Sequence, residues 1–211
     1  MSLINSTAIP SGATGYEIEQ SLRFNDDDSA YLSRTPASAG TEETWTFSCW
    51  HKLGSATSGL LLFAGTSSTD RFQIYYSSNV WSLYSSDGTN TDQLETSAVA
   101  RDPSSWYHFM VAYDTTQGTE ANRIKMYVNG EQITSFATAN YPTQNFVPPG
   151  INSAEIHTIG RRNYNTDVYL DGYLGETYFV DGQAKVPADF GETGDYGEWK
   201  PIEYEGSYGT N

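Results

Sequence analysis

The 211-residue chain has a single cysteine, Cys49, which excludes an internal disulfide and any cysteine-rich zinc site. Positive charge is scarce too: 11 Lys and Arg stand against 26 Asp and Glu, a net charge of −15. Gripping phosphate backbones or anionic lipid depends on clustered positive charge, so neither nucleic acid nor membrane is an expected partner. No apolar run approaches the roughly 18 residues that cross a bilayer. Residues 1–15 are small and polar, without a basic stretch leading into an apolar one, so neither a signal peptide nor an anchor is expected there. Helical periodicity and internal repeats are also lacking.

What the chain does have is aromatic residues, at 14% with Tyr 16, Phe 9 and Trp 5. Disordered acidic chains lack them, so this one folds. A chain of this length buries roughly 70% of its unfolded surface and holds a core without staples. Apolar residues recur with period 2. Trp45, Phe47 and Cys49 alternate with Thr46, Ser48 and Trp50; Phe72, Ile74 and Tyr76 with Arg71, Gln73 and Tyr75; Tyr107, Phe109, Val111 and Tyr113 with His108, Met110 and Ala112. Leu60 to Phe63 is continuously apolar, as in a strand covered on both faces. Ser77–Ser78–Asn79 reads as a turn, and Asn129–Gly130 predicts a type I′ hairpin turn. About a dozen short strands between Gly, Asn, Asp and Ser turns predict an all-β, two-sheet antiparallel sandwich. The expected organisation is an N-terminal arm at 1–19, a sandwich at 20–190 and an acidic, Gly- and Tyr-rich tail at 191–211, which either wraps the sandwich or links onward. The proline-rich stretch 141–150 is expected to be a loop.

Four ordered segments, TWTFSCW at 44–50, WYHF at 106–109, MYVNG at 126–130 and LDGYLGE at 170–176, together resemble the concanavalin A-like lectin/glucanase superfamily in its laminin-G and pentraxin-like branch. The resemblance implies a jelly-roll sandwich. The flanks, YEIEQSLRF at 16–24, AYLSRTP at 30–36 and WKPIEY at 199–204, are similar to laminin-G-like domains of marine bacteriophage structural proteins. That similarity implies a virion surface, tail-fibre or capsid-decoration protein whose partners are host-surface glycan or other virion subunits, with a homo-oligomer compatible.

Some members of the superfamily cleave glucans. A retaining glycosidase needs two carboxylates about 5 Å apart on one face. Glu17–Ile18–Glu19 precedes the first good strand, and Glu176, Tyr178 and Val180 offer one acid among three, so no enzyme is expected. His51, His108 and His157 sit in separate strand patterns, and Cys49 reads as a small buried hydrophobe. Calcium takes six to eight oxygen ligands. The candidate ligands are Asp26 and Asp28 in the NDDD run, and Asn163, Asn165 and Asp167, which occupy the place of the pentraxin calcium loop although Arg161 and Arg162 precede them. Asp87, Asn90 and Asp92 form a further oxygen-rich loop. Glycan binding needs exposed aromatics for sugar C–H faces and polar side chains for hydroxyls. Tyr75, Arg71, Tyr164, Asn163, Asn165 and Trp81 are the candidates, with Trp81 and Tyr84 pointing opposite ways. The competing expectation for each aromatic is core packing or a subunit contact.

Overall fold

The structure, a computed structural model, describes residues 16–54, 58–97, 100 and 102–209. Among these, fifteen strands run in order: β1 (Leu22–Phe24), β2 (Leu32–Arg34), β3 (Thr44–Leu53), β4 (Ser58–Gly65), β5 (Arg71–Ser77), β6 (Val80–Ser86), β7 (Thr91–Thr96), β8 (Trp106–Asp114), β9 (Ile124–Val128), β10 (Glu131–Gln132), β11 (Phe136–Asn140), β12 (His157–Ile159), β13 (Gly172–Asp181), β14 (Gly191–Thr193) and β15 (Trp199–Pro201). One sheet has six strands in the order β1-β13-β3-β8-β9-β10, and its partner has seven, β11-β7-β6-β5-β4-β12-β2. All pairings within them are antiparallel.

The period-2 pattern decides which side chains lie between the sheets. Trp45, Phe47 and Cys49 of β3 face inward, as do Phe109, Val111 and Tyr113 of β8 and Phe72, Ile74 and Tyr76 of β5. Trp45 is fully buried, stacked on Tyr113 at 4.6 Å and edge-on to Phe72 at 5.2 Å. Burying an aromatic of this size removes roughly 150–250 Å² from water, on the order of 4–6 kcal/mol gross. The two hairpin turns follow turn chemistry. Asn129 and Gly130 both take positive φ, at 49° and 83°, between β9 and β10, and Ser78 and Asn79, at 52° and 70°, do so between β5 and β6.

Leu60 and Phe63 of β4 are buried, as the unbroken apolar run predicts. Phe63 is covered from outside by Tyr164, and Gly59 lies against Leu170, so the segment between β12 and β13 folds over the seven-stranded sheet. The tail packs on the opposite side of the molecule. After a turn of 3₁₀ helix at Pro187–Asp189, β14 pairs with β15. Phe190 and Tyr204 then join Met110, Ala112, Tyr127 and Val180 in a second apolar cluster outside the six-stranded sheet. A Cβ on Gly130 or on Gly191 would lie 2.5 Å from the Trp199 ring, so glycine admits the indole at both positions.

Two strands depart from the sequence expectation. Asp92 is not in a loop but on β7, 7% exposed, where burial raises its carboxyl pKa to about 6. Strand β11 is the other: its half-exposed FATAN sequence carries little alternation, and pairing with β7 makes it a strand.

A candidate sugar-binding face on the seven-stranded sheet

On the outer face of the seven-stranded sheet, Arg71, Gln73 and Tyr75 of β5 stand opposite Ser86, Tyr84 and Ser82 of β6. The segment 160–170 is laid over this face by backbone bonds: the Gly160 amide donates to Leu60 O at 3.0 Å and the Leu170 amide to Gly160 O at 2.8 Å. The Arg162 amide donates to Asp167 O at 2.9 Å and closes the loop, with Thr166 and Val168 held at positive φ. That closure presents Tyr164 to β5. Its ring sits 5.8 Å from Phe63, and its Oη accepts from Arg71 Nη1 at 3.0 Å.

Arg71 is the centre of the cluster. Its guanidinium lies 4.6 Å from the Tyr84 ring and 5.8 Å from the Tyr164 ring, and it also donates to Ser68 O. The Arg162 guanidinium lies 5.5 Å from the same Tyr164 ring, and Arg161 packs on Tyr31. Two arginines, Arg71 and Arg162, therefore meet at Tyr164 in a chain whose net charge is −15, while Arg161 turns to Tyr31. The Nε atoms of all three, with Gln73 Oε1 and Ser82 Oγ, are buried without a hydrogen-bond partner in the protein. Such groups cost free energy until water or a ligand reaches them.

The structure thus joins Arg71 to Tyr164, with Asn163 and Asn165 on either side of Tyr164 in the loop and Tyr75 on the same face of β5 two residues beyond Gln73. Trp81 does not belong with them. It is 1% exposed and stacked on Phe109 at 5.5 Å, so its ring faces the core and offers no surface to a ligand. Tyr84, its neighbour of opposite parity, is the residue that joins the cluster. Alternation along β6 already puts the two on opposite faces, and burial decides which one is outside.

The expected calcium ligands are less well placed. Asp167, the one carboxylate in the 163–167 loop, has Arg162 Nη1 at 3.3 Å. Asp26 and Asp28 lie in the turn between β1 and β2, where Asp28 accepts from Asn25 Nδ2 at 2.7 Å and Asp26 from the Asp27 amide at 3.1 Å. Among the described residues no three His, Cys, Asp or Glu side chains cluster as metal ligands do. Calcium takes six to eight oxygens, and the one carboxylate of the 163–167 loop faces Arg162.

The histidines occupy separate environments. His51 points into the core, with its pKa lowered to about 4 by burial. His108 lies outside the six-stranded sheet beneath Trp199. His157 is fixed at both ring nitrogens, by the Asn152 amide at 2.9 Å and Glu155 O at 2.9 Å. Burial drives the Cys49 thiol pKa upward, the reverse of what a nucleophile needs. A cavity of about 420 Å³ opens between the sheets at Leu32, Phe47, Ile159 and Phe179, but two of its polar residues, Asn152 and His157, are bonded to each other.

A search of curated proteins finds no sequence match. Among solved structures, the chain is similar to domains LG4-5 of the mouse laminin alpha1 chain, with TM-score 0.59 at 10% identity, covering 92% of this chain and 46% of that one. The chain therefore spans about half of that laminin structure. It is also similar to the heptameric SAP-like pentraxin of Limulus polyphemus, with TM-score 0.51 and 15% identity over 74% of this chain and 71% of that one. A third likeness is to the CBM40 of Ruminococcus gnavus IT-sialidase bound to α2,3-sialyllactose, with TM-score 0.50 and 17% identity over 79% and 92%. No helix among the described residues is long and apolar enough to cross a membrane. Residues 25–185, which hold both large sheets apart from β1, match the family Laminin_G_3, and the chain belongs to the Concanavalin A-like lectin/glucanases superfamily.

Proposed function

We propose that the chain is a non-catalytic glycan-binding module and that its binding face is the Arg71–Tyr84–Tyr164 cluster on the seven-stranded sheet. The observation that carries this is the pair of arginines, Arg71 and Arg162, interleaved with two partly exposed tyrosines, Tyr84 and Tyr164, under a loop that also offers Asn163 and Asn165. Tyrosine faces suit sugar C–H surfaces, and guanidinium groups suit hydroxyls and carboxylates as bidentate donors. The surplus of arginine favours an acidic sugar. The sialyllactose bound by the Ruminococcus gnavus module is of that chemical kind and lends support.

The setting we propose is the surface of a phage particle, as a fibre or decoration module. Support comes from the likeness of residues 16–24, 30–36 and 199–204 to phage structural proteins. A calcium ion ordering the 163–167 loop belongs to the same proposal as a separable part, since it requires Arg162 to leave Asp167.

The test is a glycan array with millimolar calcium and with chelator, for wild type and for Arg71→Ala and Tyr164→Ala. Saturable binding to acidic glycans, weakened at least tenfold in both variants (about 1.4 kcal/mol), supports the reading. Loss with chelator assigns calcium a role. A folded protein that binds no glycan on the array points instead to assembly with other particle subunits.

A further inference from the structure

The outer face of the six-stranded sheet carries a second aromatic site that owes nothing to the arginine cluster. Trp106 begins β8 and points outward, 37% exposed. Its cross-strand partner is Lys52, whose partner in turn is Tyr173, whose partner is Arg23. A row of cation, aromatic, cation, aromatic therefore crosses β1, β13, β3 and β8 side by side. Tyr173 meets Trp106 edge-on at 6.4 Å, and Arg23 packs over Tyr173 at 5.4 Å.

Beside this row lies a pocket of about 280 Å³, walled by Trp106, Trp50, Ile18, Glu19, Gln20 and Pro201. Trp50 is only 7% exposed, its ring 5.2 Å from that of His108. The other walls come from the two flanks of the chain. Gly175 lets the arm lie close, since a Cβ there would stand 3.3 Å from Ile18 Cγ2. Ile18, Glu19, Gln20 and Pro201 all lie outside the 25–185 family match, so the arm and tail close a pocket whose aromatic walls, Trp50 and Trp106, belong to the matched sandwich.

We infer that this pocket is a second carbohydrate site, one that takes a neutral hexose unit stacked on Trp106. The mixture of side chains selects the ligand. Glu19 accepts hydroxyl hydrogens, and Gln20 and Ser21 both donate and accept. Charge is balanced, with Glu19 in the wall, Lys52 across from Trp106, and Arg23 paired with Asp171 at 3.6 Å, so nothing here favours an anion over a neutral sugar. The volume is at the small end of small-molecule sites, roughly 300–1,000 Å³. A protein partner buries on the order of 800 Å² per side and would need a broader face. With both sites filled, the module holds glycan on opposite faces of the sandwich. Neither site depends on the other, and they differ in ligand charge.

The test replaces the five tryptophans with 5-fluorotryptophan and titrates neutral gluco-, manno-, galacto- and xylo-hexaoses by fluorine NMR. The expected result is a saturable shift of the Trp106 signal, assigned by its loss in Trp106→Phe, with one or more hexoses and not with the pentose xylo-hexaose. Trp106→Ala abolishes that binding and Glu19→Ala weakens it at least fivefold, both with unchanged circular dichroism, while Arg71→Ala leaves it intact. A Trp106 signal that moves with none of the sugars, or binding that survives in Trp106→Ala, overturns the inference. Loss of binding in Arg71→Ala alone assigns the sugar to the opposite face and overturns it too. A change in oligomeric state on Trp106→Ala makes the face a subunit contact and likewise overturns it.

Discussion

Acid should loosen this protein before its carboxylates titrate out, through a histidine that holds down the tail. An indole N–H can only donate, so the 3.0 Å contact from Trp199 Nε1 makes His108 Nδ1 an acceptor. The ring proton then sits on Nε2 and is donated to Ser48 Oγ at 2.8 Å. A second proton on the ring would set donor against donor beneath Trp199, in a place where His108 is 1% exposed. Burial lowers its pKa from 6.5 to about 4. The folded value lies below the unfolded one, so the unfolded chain binds the proton first. Stability is full above about pH 6.5 and drains away as pH falls toward 4. The gap amounts to about 3 kcal/mol for His108. His51, also lowered to about 4 by burial, adds a similar amount in the same direction. Asp92, raised to about 6, acts in the opposite sense; discounted for solvent at its place near the sheet edge, it returns only about 1–2 kcal/mol. These three groups together then give a loss of about 4–5 kcal/mol between pH 7 and 4. His108→Gln keeps an acceptor and a donor but does not titrate, and should lose about 3 kcal/mol less. Urea unfolding at 25 °C, followed by tryptophan fluorescence from pH 7 to 4, measures both slopes. Equal slopes in wild type and His108→Gln refute a His108 origin for the acid lability.

Two more substitutions test particular placements. Asn129→Ala removes a residue at φ 49° and the Oδ1 that accepts the His108 amide at 2.8 Å, and should cost about 1–2 kcal/mol in urea unfolding; an unchanged midpoint counts against the type I′ turn and its register. Asp92→Asn takes away a buried carboxylate whose Oδ2 has no partner, so it should raise stability at pH 7 by about 1–2 kcal/mol and have no such effect at pH 4, with a gain at both pH values contradicting the raised pKa.

Much of this molecule is legible along the chain because a half-buried strand must alternate. Trp45, Phe47 and Cys49 are read as inward from their spacing alone, and so are Phe109, Val111 and Tyr113. The unbroken run from Leu60 to Phe63 signals a covering layer but not its identity, which is Tyr164 and Leu170 from a segment a hundred residues later. The same spacing hides what it cannot rank. It separates Trp81 from Tyr84 without saying which is exposed, and it places Trp106 on the outward face with His108 without showing that the arm and tail wall it in. Asp92 reads as a turn residue because Asp favours turns; pairing with Ser85 overrides that preference.

The fold class, the two hairpin turns and the inward-facing set are written into the order of residues, since they follow from local backbone preference and period-2 burial. Other features exist only in the folded chain: Arg71 meeting Tyr84 and Tyr164, Arg162 standing against Asp167, and the tail docking through Trp199 on His108. Each of those contacts joins residues from strands or loops distant along the chain, except the Arg71–Tyr84 contact between neighbouring strands and the Arg162–Asp167 pair, whose geometry is set by the closed loop. No local preference encodes such meetings, because they depend on which sheet edge, face and register a segment reaches.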